Sequence, residues 1–196
     1  MSPIERAIFE DIRFQLLYDG PVVVTTVEPS MQYFELRPGA RPPTPDDITA
    51  YVERELTGFQ PEVAGPLVDA RPSGDALCAL DYVNGQLASR PLQIPRLALS
   101  LTGWASDRAA PGAPAEVFAL LTSGTRRYSI QATRVARPDV AAVFQEPRFE
   151  MSGYALQGSI VGLPAGEYRV SILQKRGAGF VSCDVPSAIT ITNAVR

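Results

Sequence analysis

Arg96-Leu-Ala-Leu-Ser-Leu-Thr-Gly-Trp-Ala105 is the stretch that decides the fold. Leu97, Leu99 and Leu101 alternate with Ala98, Ser100 and Thr102, the two-residue period of a strand that buries one face. Tyr168, Val170 and Ile172 repeat that alternation, and short β-favouring runs recur from residue 77 onward. Besides 96–105, the runs are 77–83, 116–122, 127–134, 154–161, 166–175, 179–184 and 189–192. Asn84-Gly85 and Ser123-Gly124 sit where tight turns belong. One short helical turn, Pro138 to Phe144 with its cap near Arg137, interrupts the pattern. Strands at this spacing without amphipathic helices between them favour a sandwich over a parallel α/β sheet. The expected fold is therefore mainly β: an Ig-like antiparallel β-sandwich over residues 75–196, preceded by a small α/β segment over residues 1–74.

The first segment has a mixed character. Ser2-Pro3-Ile4-Glu5 has a serine cap, proline at the first helical position and glutamate three residues after the cap, the marks of a helix start. Asp19-Gly20 signals a turn, and Val22 to Val27 is a β-branched run suited to a strand. Residues 37–45 hold four prolines and can only be loop. A better helix follows. Thr44 caps it, Pro45 opens it, Asp46 and Asp47 lie at the positive end of its dipole, and Gly58 closes it. Ile48, Tyr51, Val52 and Leu56 give that helix an apolar stripe that some surface must cover. Residues 60–75, with three prolines and two glycines, suggest a linker or an irregular connection.

Composition narrows the function classes. The chain has 196 residues, net charge −3 and a single lysine, Lys175. No basic stripe with interleaved aromatics is present, which argues against a nucleic-acid partner. No run of about 18 apolar residues occurs, so no membrane span is expected. Histidine is absent, which removes His-based triads, the usual zinc sites and the commonest general base together. Phosphate-loop, dinucleotide, Cys-x-x-Cys and calcium-loop patterns are missing too. The expectation is a protein that is not an enzyme and uses no cofactor or metal. An enzymatic alternative would depend on carboxylates such as Glu28 and Glu35, whose placement shows no acid/base spacing.

Cys78 and Cys183 fall in the first and penultimate expected strands of the sandwich. Such strands can be neighbours, so a disulfide is reasonable; two buried free thiols are the alternative. A bond implies a non-cytoplasmic location. Because the Met1-Ser2-Pro3-Ile4-Glu5 start lacks the character of a signal peptide, it also implies that an upstream portion was removed. Free cysteines imply the cytoplasm. Trp104, at a strand end, could be a stacking platform for a sugar ring or a core residue between sheets. Arg137 could fork onto a ligand carboxylate, or pin a loop through Asp139 or Asp107.

Several segments taken together resemble a known module. Cys78-Ala-Leu-Asp81-Tyr-Val-Asn84-Gly85, Leu99 to Asp107, Arg137-Pro-Asp139-Val140, Ser152-Gly-Tyr154 and Leu163-Pro-Ala-Gly-Glu-Tyr168 resemble a C-terminal extracytoplasmic β-sandwich module. That module belongs to bacterial cell-envelope membrane proteins similar to surface-polysaccharide glycosyltransferases. The resemblance covers roughly residues 75–193 and implies a periplasmic or extracellular location, a glycan context and added weight for the Cys78–Cys183 bond. The expected function is a non-catalytic accessory module that binds glycan or an envelope protein, with Trp104, Asp107, Arg137, Asp139 and Tyr154 as the surface. The alternative is a structural assembly protein, such as a virion or surface-layer subunit, acting through self-association.

Overall fold

The computed structural model describes residues 22–28, 31–36, 44–62, 65–110 and 113–193. The expected helix start at Ser2, the Asp19-Gly20 turn and most of the proline-rich loop lie outside the described residues. Strands β1 (Val22–Glu28) and β2 (Met31–Leu36) form an antiparallel hairpin, as the β-branched run suggests. Helix α1 (Pro45–Glu55) begins with a capping box. The Asp47 N–H donates to Thr44 Oγ1 at 3.2 Å, and the Thr44 N–H donates back to the Asp47 carboxylate at 2.7 Å. Its stripe of Ile48, Tyr51 and Val52 is buried against Leu97 and Ala98, so the sandwich supplies the cover that the helix required.

Two sheets face each other from residue 60 onward. The smaller has the order β11 (Thr133–Val135), β12 (Gly153–Ser159), β8 (Ala98–Asp107), β5 (Ala76–Val83), β6 (Gln86–Leu87). The larger runs β3 (Gln60–Pro61), β10 (Arg126–Gln131), β9 (Val117–Ser123), β13 (Gly166–Arg176), β14 (Gly179–Thr192), β4 (Arg71–Pro72), with β7 (Leu92–Pro95) also on β14. Pairing is antiparallel except where β4 and β7 run parallel to β14. The fold is a mainly β sandwich with a small helix before it, as expected. Alternation places Leu99, Leu101 and Ala105 in one core with Leu121, Val170, Ile172 and Ile189 from the facing sheet. Cys78 on β5 is bonded to Cys183 on β14, with Cα atoms 6.1 Å apart, so the disulfide joins the two sheets.

Several segments differ from their sequence reading. Residues 60–75 are no free linker, because β3 and β4 add to the larger sheet. The run 127–134 divides into β10 and β11, which lie in different sheets. The runs 179–184 and 189–192 are one strand, β14, carrying Pro186 in its middle. Arg169 pairs with Ala188 while Ser171 pairs with Asp184, so residues 185–187 bulge opposite Val170 alone. A bulge has no ladder bond for proline to forfeit, which is why Pro186 does not end the strand. The Asn84-Gly85 turn is present with both residues at positive φ, 45° and 66°. Helix α2 (Pro138–Phe144) also forms where its proline predicts.

Candidate functional site

The five residues singled out from sequence do not converge. Asp107, at the end of β8, is fully buried. It takes both arms of Arg176 from β13, with Arg176 Nη2 2.7 Å from Asp107 Oδ1 and Nε bonded to Oδ2. This ion pair joins the two sheets, and Asp107 raises the Arg176 pKa by accepting these bonds. Tyr154 is also fully buried, lying over Gly103, and its hydroxyl donates to the Ala79 carbonyl at 2.9 Å. Burial pushes its phenol well above the ordinary tyrosine range. Neither residue can meet a ligand in this arrangement.

Trp104 shares a register row with Gly153 and Ala79, on the strand face opposite Leu101 and Ala105. It therefore packs outside the five-stranded sheet rather than between the sheets. Phe144 of α2 meets its ring edge-on at 5.3 Å, and Phe149 of the following 3-10 turn (Pro147–Phe149) meets Phe144 at 5.8 Å. Trp104 is half-buried and secures α2 to the sheet.

Arg137 and Asp139 do reach the surface together. The Arg137 Nε and Nη2 donate to Asp139 at 2.9 and 2.7 Å, and Nη1 donates to Asp81 at 2.6 Å. The Arg137 bonds hold the Asp139 carboxyl down at about 2. Asp81 is the extra residue of a β-bulge, because Leu80 pairs with Gly103 and Tyr82 with Thr102. Gly153 leaves room for the arginine stem, since a Cβ there would stand 2.6 Å from Arg137 Cγ. Asp81 and Arg137 line a groove of about 550 Å³ between the β5 edge and residues 185–187 of β14. Both of the arginine's arms are committed to carboxylates, which makes this a structural clamp first.

A second groove, of about 480 Å³, lies over the outer face of the larger sheet. Its wall is the segment carrying Leu67 and Val68, held by Arg127 Nη1, which donates to the Val68 carbonyl at 2.9 Å. Thr122, Ser171 and Ser182 supply hydroxyls to its floor, and Ser171 donates to Asp184 at 2.9 Å. Arg71, Arg169 and Glu167 stand at its rim, all exposed. Its described lining contains no aromatic ring, so recognition there depends on hydrogen bonds and charge. None of these residues was legible as a site. Their convergence depends on strand register, and each alone is an ordinary polar residue on a strand.

Among the described residues, no group of three or more His, Cys, Asp or Glu side chains is placed to hold a metal ion. No helix among them is long and apolar enough to cross a membrane. The sequence matches no family model, and comparison with curated proteins found no match. The disulfide across the sheets fits an oxidising, non-cytoplasmic compartment.

Proposed function

We propose that this chain is a non-catalytic binding module of a bacterial cell-envelope or surface-polysaccharide protein, working in the periplasm or outside the cell. Its ligand is a glycan, held in the groove over the larger sheet. The observation that supports this is the groove's lining: the hydroxyls of Thr122, Ser171 and Ser182 on a strand floor, with carboxylate and guanidinium groups around them. Those donors and acceptors match the hydroxyl edges of sugars, and their spacing is set by the ladder before any ligand arrives. The Cys78–Cys183 bond is consistent with the location.

Affinity electrophoresis of the oxidised chain through gels containing bacterial surface polysaccharide tests this. Retardation that Thr122→Ala and Ser182→Ala weaken is the expected result. Unretarded migration in every polysaccharide would sink the reading. Tyr82 and Leu87, 45% and 61% exposed beside the lightly covered β5 edge, favour the second reading of self-association. In that case sizing chromatography would show a concentration-dependent assembly that Leu87→Lys dissolves.

A further inference from the structure

We infer that the glycan taken by the groove over the larger sheet is anionic, carrying carboxylate, sulphate or phosphate groups that Arg169, Arg127 and Arg71 receive; this rests on the glycan-binding function proposed above. The register places the first two arginines. Thr122 on β9 pairs with Arg127 of β10 on one side and with Arg169 of β13 on the other. Directly paired residues project on the same sheet face, so Arg127, Thr122 and Arg169 form one cross-strand row with a hydroxyl at its centre. Two strand spacings separate the arginine Cα atoms by about 10 Å. Their side chains, with several rotatable bonds each, can converge over Thr122 or grip successive residues of an extended chain.

The charges of the groove are not used up internally. Among the described residues, Arg169 and Arg71 make no ion pair and no side-chain hydrogen bond, although Glu167 and Asp184 line the same groove. Arg127 spends one arm on the Val68 carbonyl, a neutral acceptor that leaves its charge uncompensated. The lining holds three arginines against two carboxylates, in a chain whose net charge is −3. Like charges flanking one residue on a sheet repel unless an anion lies between them. Guanidinium forks match the planar or tetrahedral oxyanions of acidic sugars, and bidentate pairing supplies affinity that stacking would otherwise provide. An anionic glycan is also the ligand best suited to a groove without an aromatic platform.

Calorimetric titration of the oxidised chain with four probes tests the inference: a uronate hexasaccharide, a sulphated hexasaccharide, neutral maltohexaose and inorganic phosphate. The expected result is binding of at least one acidic hexasaccharide, weakened steeply by salt. Arg169→Ala should weaken it about tenfold or more, with Arg169→Lys recovering part of the loss and Arg71→Ala acting in the same direction. Both arginines are exposed, so these variants should keep the parent circular dichroism and melting temperature. Neutral and acidic hexasaccharides binding alike, with Arg169→Ala silent, would overturn the anionic ligand while leaving glycan binding intact. Binding of none of the hexasaccharides would overturn both. Phosphate binding as tightly as the acidic hexasaccharides would overturn a glycan as the occupant.

Discussion

Replacing Cys78 and Cys183 together by alanine removes the covalent link between the sheets, and the size of the loss follows from chain length. The bond closes a loop of 105 residues. In the chain-entropy treatment a loop of that length loses about 16 cal/mol/K from the unfolded chain, or about 4.7 kcal/mol at 25 °C. Total stability of a domain is about 5–15 kcal/mol, so the variant should be marginal rather than mildly weakened. Urea unfolding followed by Trp104 fluorescence is a suitable assay, because that ring is packed against Phe144 on the five-stranded sheet. With a slope of about 2 kcal/mol/M, the midpoint should fall by about 2 M. The mechanism makes a kinetic demand as well. A constraint on the unfolded chain should slow refolding when removed and leave unfolding nearly unchanged. A loss below about 1 kcal/mol, or one expressed as faster unfolding, would refute the loop-closure account.

Intact mass measured under alkylating conditions should show no label on Cys78 or Cys183 until reductant is added; two labels without reductant would remove the case for an oxidising compartment. Asp107→Asn should destabilise by about 3 kcal/mol, read by denaturant melts, because it leaves Arg176 facing a buried neutral group. The loss belongs at the low end for buried pairs, since the Arg176 side chain is 31% exposed. Gly103→Ala should disrupt β8, since a Cβ there would stand 2.1 Å from the Ala79 carbonyl and 2.5 Å from the Tyr154 hydroxyl; a melting temperature equal to that of the parent would contradict this packing. Asp139 is lowered from 3.8 to about 2 by Arg137, so its contribution is complete above pH 4 and is lost as pH falls toward 2. Arg137→Ala should flatten the stability profile in that window, and an unchanged slope would show that the pair is not formed.

The parts of the fold that were legible in sequence are those governed by local periodicity. Leu97, Leu99 and Leu101 declare a buried face through their own spacing, and Thr44, Pro45 and Asp47 declare a helix start within four positions. The parts that were not legible depend on partners far along the chain. Pro186 looks like a strand end until the bulge opposite Val170 accommodates it. Asp81 has no local mark of its role, which comes from Arg137, 56 positions away. Trp104 read as a sugar platform or as a residue between the sheets, and its place on the outer face of the five-stranded sheet was not legible, because face depends on the register with Gly153 and Ala79. Asp107 and Tyr154 are polar by composition and buried by context, so their type pointed to a surface that their neighbours deny them.

The separation of the two cysteines also has a temporal consequence. Synthesis proceeds from the N-terminal side, so Cys78 emerges while the strand that carries its partner has yet to be made. At about 5–20 residues per second the intervening stretch takes roughly 5–20 s to appear. During that interval β4, and β7 once it is made, lack the strand they pair with, and Cys78 stands as an unmated thiol. A chain delivered to an oxidising compartment must therefore keep that sulfur from wrong partners until residue 183 arrives. Completion of the larger sheet becomes a late event, and any truncation upstream of Gly179 would leave β13, β4 and β7 without their β14 partner while the five-stranded sheet keeps all its strands.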